Sequence, residues 1–207
     1  MSVELWLSFA VASLVLLSIP GPTVLLVVSY ALSGGKKTAF ATVPGVTLGD
    51  FTAMTISLAG AGAVLAASAT LFTVMKVAGA LYLIWLGIGM WRDGGGLSDP
   101  VAESSGKSYR SMFLNSFVVT ALNPKGIVFF VAFVPQFINP AEPVFIQFAI
   151  LEATFLAFAA INIVIWVMLA GSLRSQFKRP GAMKLVKRLG GSCLMGAGAL
   201  TALVQRN

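Results

Sequence analysis

The chain has 207 residues, of which 57% are hydrophobic and only 10% are charged. A soluble domain typically carries about 25% charged residues, so this composition excludes an ordinary soluble protein and indicates an integral membrane protein. One cysteine, Cys193, and no histidine exclude an internal disulfide, a dithiol redox pair and a Cys/His metal centre. No cofactor and no metal are expected. The formal charge of +7 lies mostly in short loops between apolar runs, which is typical of topology control and not of nucleic-acid binding.

Six apolar segments are candidates to cross a bilayer, which takes about 20 residues. They cover residues 5 to 32, 39 to 66, 70 to 91, 111 to 138, 144 to 170 and 189 to 204, and the last is short. No Lys or Arg precedes the first segment, so a cleaved signal peptide is not expected. The gaps are too short for a soluble domain, and the sequence predicts a single transmembrane domain over residues 1–207.

The basic residues predict the orientation of these segments. Of the 14 Lys and Arg residues, 11 lie in the first, third and fifth loops. Cytoplasmic loops carry such an excess, so the odd loops are predicted to be cytoplasmic and both termini to lie outside.

Two of the segments are interrupted by proline. The stretch "LLSIPGPTVLLVV" (16–28) contains Pro20 and Pro22, and "VVTALNPKGIVFF" (118–130) contains Pro124. Non-helical backbone at membrane depth is tolerated where it is buried in protein or lines a cavity. A proline leaves the carbonyl four residues earlier without its helical partner, here those of Leu16, Ser18 and Thr120. Either these carbonyls face a substrate or an ion, or the prolines only kink the helices for packing.

The two breaks are related by an internal repeat. Pro124 lies 102 residues after Pro22, and each is followed 28 residues later by an acid, Asp50 or Glu152. The pattern K-x-x-G-x-x-x-L-x-x-x-G occurs in both presumed third helices, at 76–87 and 187–198. The sequence therefore predicts two inverted three-helix repeats, at about 5–91 and 111–204, joined by a flexible cytoplasmic linker at 92–110. Matched breaks in inverted repeats point to a transporter binding site.

Three ionisable residues lie within the apolar segments: Asp50, Lys125 and Glu152. A charge near the bilayer centre costs about 2.5 to 3.5 kcal/mol and usually serves a function. One interpretation is that a carboxylate carries a proton in exchange for substrate. The alternative is a buried pair between Lys125 and one acid that only holds the two halves together.

Other polar and small residues have more ordinary interpretations. Asn123 is a candidate to hydrogen-bond a substrate, whereas Asn162 and Gln147 are predicted to join helices. The runs "GVTLG" (45–49) and "GAG" (60–62) indicate close helix packing and not a phosphate loop. No nucleotide-binding motif is present, so any active transport has to draw on a gradient.

Several of these stretches together resemble the lysine exporter family of bacterial amino-acid exporters, in its homoserine/threonine-resistance branch. They are "PGP", "GGKKTAFATVPGVTLGD", "KVAGALYLIWLG" and "NPKGIVFFVAFVPQF", which cover most of residues 18 to 137. The resemblance implies a six-helix protein of the bacterial inner membrane, with periplasmic termini in the orientation given above. It also implies export of amino acids or related small metabolites, driven by the proton-motive force through alternating access.

The resemblance carries over seven substrate- or ion-binding positions: Pro20, Gly21, Pro22, Asp50, Asn123, Pro124 and Lys125. Glu152 is added only through the repeat. The expected partners are a small-molecule substrate, protons and the lipid bilayer, and a homo-oligomer is left open. No enzymatic activity is expected.

Two other functions share the same architecture. A channel or facilitator would keep the breaks but would need no titrating carboxylate. A metal-ion exporter would use acids and freed carbonyls for a hard cation, although two carboxylates without His or Cys make a thin ligand set.

Overall fold

The computed structural model describes residues 1–67, 106–139 and 141–172, together with isolated residues between 70 and 92 and between 188 and 199. Over these residues the chain forms helices and turns, with no β-strand among them. The helices are α1 (Val3–Ser18), α2 (Pro22–Gly34), α3 (Ala39–Ala67), α4 (Tyr109–Ala121), α5 (Pro124–Val128) and α6 (Val144–Ser172). A 3-10 turn (Lys36–Thr38) joins α2 to α3, and a π turn (Phe129–Phe133) followed by a 3-10 turn (Val134–Phe137) continues α5.

Two stretches of helix within the described ranges are long and apolar enough to cross a membrane, Tyr109–Phe137 and Val144–Ala170. The pair α1 and α2 makes a third span if it is counted as one, bent by 54° at its break. Helix α3 begins at the residue predicted for the second segment and ends one residue later. The predicted third and sixth segments lie outside the described residues, apart from isolated helical positions. The protein is thus an α-helical polytopic membrane protein.

Both predicted breaks are present, and both have the same local form. Pro22 is the first residue of α2 and Pro124 the first residue of α5, a position where the missing proline N–H would have had no helical partner. Gly21 and Asn123 are the residues that cap these helices. The Asn123 side chain accepts a hydrogen bond of 3.1 Å from the Lys125 backbone N–H, which satisfies one of the unpaired donors at a helix start.

Helix α3 approaches α4 closely through glycine. A Cβ added at Gly45 would lie 2.6 Å from the carbonyl oxygen of Phe113, and one added at Gly49 would lie 2.8 Å from that of Phe117. Small residues spaced four apart allow helix backbones to come this near. The close packing predicted for "GVTLG" is confirmed, whereas no described atom lies within 4 Å of a Cβ added at Gly60.

A Gly49→Ala substitution is therefore expected to destabilise the protein, by about 1 to 3 kcal/mol as is typical of overpacking. Gly60→Ala in the same helix is the matched control, and it should be neutral or stabilising by roughly 0.5 to 1 kcal/mol because alanine favours helix. Thermal unfolding of the two purified variants in detergent measures the difference. Equal melting temperatures would contradict the close α3–α4 contact.

The remaining core joins α6 to the first break and to the turns after α5. Helix α6 contacts α1, α2 and α3. An aromatic cluster packs between α1, α6 and the turns that follow α5, and it consists of Phe9, Phe129, Phe130, Phe133, Phe137 and Phe155. At the chain start, the Met1 ammonium pairs with Glu142 in the loop before α6. This hydrogen bond holds the pKa of Glu142 below its usual value.

Candidate functional site

A cavity of about 40 Å³ lies where the two breaks meet α3 and α6. A buried water needs about 10 to 15 Å³ of free volume, so the cavity has room for a few water molecules. Its walls are Leu16, Leu17, Gly21, Thr23, Val24, Val46, Asp50, Thr120, Asn123, Lys125, Gly126, Phe155, Ala159, Asn162 and Ile163. We call it the central cavity.

Lys125 is the positive group of the central cavity, and it is 9% exposed. Its Nζ donates hydrogen bonds to the carbonyl oxygens of Leu16, at 3.1 Å, and Ile19, at 2.7 Å. These carbonyls belong to the C-terminal end of α1, where the helix dipole favours a cation. Gly21 lies beside the same side chain, since a Cβ added there would be 3.5 Å from Nζ. Lys125, which belongs to the second break, therefore caps the C-terminal end of α1 at the first break.

Asp50 is the negative group of the central cavity, and it is 8% exposed. Its carboxylate has no hydrogen-bond partner within the described ranges. Nor does it form a direct ion pair with Lys125, because the Met1–Glu142 pair is the only one within 4.0 Å in this part of the chain. Asp50 and Lys125 do interact electrostatically. The cavity thus holds a cation and a carboxylate close to each other but not in contact.

Hydroxyl and amide groups tie the two breaks together beside these charges. The Thr23 hydroxyl accepts hydrogen bonds of 3.2 Å from both the Thr120 hydroxyl and the Asn123 amide. The carbonyl of Thr120, predicted to be left free by Pro124, accepts from the Asn123 backbone N–H at 3.0 Å. Both breaks therefore repair a freed carbonyl in the same way, because the carbonyl of Leu16 accepts from the Ile19 backbone N–H at 3.2 Å. At the first break Lys125 adds a second hydrogen bond to that carbonyl.

The structure brings together some of the predicted site residues and leaves others apart. Four of them line the central cavity: Gly21, Asp50, Asn123 and Lys125. Pro20 is buried nearby without lining it, and Pro22 and Pro124 are exposed at the starts of their helices. The prolines shape the breaks and do not form the cavity walls.

Glu152 is not at the central cavity. It is half-buried on α6, where its carboxylate accepts a hydrogen bond of 2.6 Å from the Thr55 hydroxyl of α3. The α6 residues that line the cavity fall between 155 and 163, so Glu152 lies about one helical turn beyond them. The repeat equates Glu152 with Asp50 in sequence, but the two acids have different surroundings.

The helix-joining role predicted for Asn162 is present, whereas Gln147 bonds a loop and not a second helix. The Asn162 amide donates to the carbonyl oxygen of Leu17 at 3.1 Å, and Asn162 also lines the central cavity. The Gln147 side chain accepts from the Asn139 backbone N–H at 2.9 Å and donates to its carbonyl at 2.8 Å. Gln147 therefore holds the loop before α6.

Thr23 lies in the site although no motif of the sequence predicts it there. One signal pointed to it, because the offset of 102 that pairs Pro22 with Pro124 also pairs Thr23 with Lys125. No motif predicts Phe155 and Ala159 there either, and nothing in the sequence distinguishes them from other apolar residues of α6.

Broken membrane helices around a buried charged cavity are an architecture of secondary transporters. The sequence pattern of the LysE type translocator family matches residues 14–205. The chain belongs to this family, and the resemblance described above is confirmed. It is therefore an integral membrane transport protein and not an enzyme.

Similar proteins match over nearly their whole length. An uncharacterized membrane protein of Vibrio cholerae serotype O1 is 33% identical over 202 residues, which cover 98% of each chain. The homoserine/homoserine lactone efflux protein of Salmonella typhi is 32% identical with the same coverage. The leucine efflux protein of Klebsiella pneumoniae is 28% identical over 97% of this chain and 95% of its own. No solved structure matches the chain significantly.

Proposed function

We propose that this protein exports amino acids or closely related zwitterionic metabolites from the cytoplasm, and that the central cavity is its substrate site. The observation that carries the proposal is the pair of buried opposite charges, Asp50 and Lys125, which line one cavity without contacting each other. Two similar proteins carry the names of efflux proteins for homoserine and leucine, which supports this substrate class.

The charges of the cavity complement those of an amino acid. A lysine ammonium has three N–H donors, and two of those on Lys125 are used by backbone carbonyls. The third is available to a substrate carboxylate. Asp50, which has no hydrogen-bond partner among the described residues, is available to the substrate ammonium. Because isolated buried charges are costly, a zwitterion that meets both should bind favourably.

The size of the central cavity supports alternating access. Its volume of about 40 Å³ is far below the roughly 300 to 1,000 Å³ of typical small-molecule sites. A closed state accounts for this small volume, and in our proposal the helices separate to admit the substrate. An open channel would not need this closure.

For coupling to the proton-motive force, we assign the proton to Asp50. Burying an ionised carboxylate without hydrogen bonds costs free energy, and protonation removes that cost. Substrate and proton can therefore occupy the site alternately. A metal-ion exporter is less well supported, since no group of three or more His, Cys, Asp or Glu side chains occurs in the described part of the chain.

We further propose the full six-helix arrangement of two inverted repeats, 5–91 and 111–204 with the linker 92–110, in one domain. The packing of the described helices supports it, because it is reciprocal. The second helix of the first repeat, α3, packs on the broken helix α4 of the second repeat, and α6 packs on the broken pair α1 and α2 of the first. These two contacts are the ones that a two-fold axis in the membrane plane would exchange.

Contacts at the ends of the helices support the same topology. Met1 pairs with Glu142, and the predicted orientation places both residues on the outer side of the membrane. On the cytoplasmic side, the Lys107 ammonium lies 5.9 Å from the centre of the Tyr30 ring. The guanidinium of Arg188 lies 5.3 Å from the Trp91 ring, in the same cation–π arrangement. Each contact joins residues that six spans place on the same side.

The orientation predicts opposite labelling of two loops. A cysteine at Lys36 should react with an impermeant thiol reagent only from the cytoplasmic side, and one at Glu142 only from outside. Both variants are made with Cys193→Ser, and intact cells are compared with inside-out vesicles. Reversed labelling of the two positions would overturn the orientation but not the fold.

Export is tested in cells and in vesicles. A deletion strain and an overexpressing strain are compared by metabolite profile, and the substrate should accumulate in the first and appear in the medium of the second. Transport of that amino acid into inside-out vesicles should then require an imposed pH gradient. Equal rates with and without the gradient would favour a facilitator.

A further inference from the structure

A second cavity, of about 350 Å³, lies at the end of the molecule where α2 ends and α4 begins. In the proposed orientation this is the cytoplasmic end. Its walls include Ser33, Gly34, Thr38, Lys107, Ser108 and Met112. We call it the entrance cavity. Its volume lies within the range of small-molecule sites, in contrast to that of the central cavity.

A stripe of small residues on α3 leads from the entrance cavity towards the central cavity. Thr38, Thr42, Gly45 and Gly49 recur at helical spacing and so lie on one face. Thr38 lines the entrance cavity, and Gly49 precedes Asp50, which lines the central one. Thr42 is fully buried between them.

Helix α4 presents a matching stripe. Met112, Ser116 and Thr120 lie four residues apart, so they share one face. Met112 lines the entrance cavity and Thr120 the central cavity. The two are separated by about 12 Å at 1.5 Å per residue. The stripes face each other, because a Cβ added at Gly45 would lie 3.0 Å from the Ser116 Cβ.

Ser116 is the unusual residue of this seam. It is 0% exposed, and its hydroxyl has no hydrogen-bond partner among the described residues. Buried polar groups are nearly always paired, and each exception calls for an explanation. A hydroxyl on the line between two cavities would find its partner, water or a polar substrate, when α3 and α4 separate.

A side chain from α2 closes the seam. Tyr30 is 0% exposed and packs with Ala41 and Met112. Its hydroxyl accepts a hydrogen bond of 2.9 Å from the Asn115 amide of α4. The Lys107 ammonium, at the wall of the entrance cavity, lies over the same ring. Tyr30 thus joins α2 to α4 beside the walls of the entrance cavity.

We propose that the entrance cavity is where substrate enters from the cytoplasm, that the α3–α4 seam past Ser116 is its route to the central cavity, and that the Tyr30–Asn115 bond is the gate. The ligand class is a zwitterionic amino acid, so this assignment rests on the proposed function. Small hydroxyls on both walls suit the passage of a hydrated polar molecule.

The test measures access to Ser116 directly. Ser116→Cys, made with Cys193→Ser, is exposed to the impermeant reagent MTSET from the cytoplasmic side of inside-out vesicles. Ser13→Cys is the matched control, because Ser13 is also 0% exposed with an unpaired hydroxyl but lies on α1. Tyr30→Phe and Asn115→Leu are two ways to remove the gate hydrogen bond, and each is added to Ser116→Cys. Either should speed labelling of Ser116→Cys by roughly two- to tenfold, because the loss of one neutral hydrogen bond increases the open population by about that factor.

We expect Ser116→Cys to react from the cytoplasmic side and Ser13→Cys to remain unreactive there. No labelling of Ser116→Cys in either gate variant, or equal labelling of Ser13→Cys, would overturn the gate. Labelling does not depend on which substrate is carried. If Ser116→Cys reacts as expected but no amino acid is exported, the assignment of the entrance is supported and the proposed substrate class is wrong.

Discussion

Replacing Asp50 with asparagine is expected to reduce net export driven by a proton gradient to the background rate of cells without the protein. The variant should still fold and insert into the membrane. Asparagine keeps the size of the side chain but cannot carry a proton. Folding should survive because Asp50 makes no hydrogen bond within the described ranges, and because Lys125 keeps both of its carbonyl partners. The loss of stability should stay below the roughly 3 to 5 kcal/mol typical of leaving a buried charge uncompensated, because those two carbonyls still accept from Lys125.

The measurement compares two kinds of transport in reconstituted vesicles. Net export against a gradient should fail in Asp50→Asn, whereas exchange of labelled for unlabelled amino acid across the membrane should persist, since it needs no net proton movement. Glu152→Gln is the matched control. Its amide oxygen can still accept from Thr55, and its position outside the central cavity predicts normal coupled export. Coupled export by Asp50→Asn would remove Asp50 as the proton carrier.

The local features of this fold could be predicted from the sequence because they depend on neighbouring residues. A proline cannot occupy a helix interior without freeing a carbonyl, so Pro22 and Pro124 mark the breaks directly. The spacing of Gly45 and Gly49 similarly predicts a close helix contact. Each of these rules needs only a few residues of sequence.

The contacts of the site could not be predicted in the same way, because they depend on how distant helices are placed. A pair between Lys125 and an acid was one of two interpretations of the buried charges, but Lys125 bonds the end of α1. The position of that end is set by the bend at the first break. Glu152 has the same spacing from its proline as Asp50, yet the placement of α6 turns other residues towards the cavity. Tyr30 and Asn115 look like ordinary helix residues until α2 and α4 are brought together.

Replacing Lys125 with methionine is expected to have the largest combined effect on stability and export. Methionine fills similar space but donates no hydrogen bond, so the Leu16 carbonyl keeps only the Ile19 backbone N–H and the Ile19 carbonyl loses the donor that Lys125 provides. A buried group left unsatisfied costs about 1 to 3 kcal/mol. It also leaves Asp50 as a buried charge without a nearby cation. Removal of one member of a buried pair typically costs about 3 to 5 kcal/mol, so the melting temperature in detergent should fall markedly.

The double variant Asp50→Asn, Lys125→Met separates a structural pair from a substrate site. Removing both charges should restore part of the lost stability, because no unpaired charge remains, and a double-mutant cycle of the melting data gives the coupling between the two residues. Export should remain absent, since the cavity no longer offers a charged partner to either end of a zwitterion. If the double variant exported at the normal rate, the two charges would only hold the helices together, and the substrate would have to bind elsewhere.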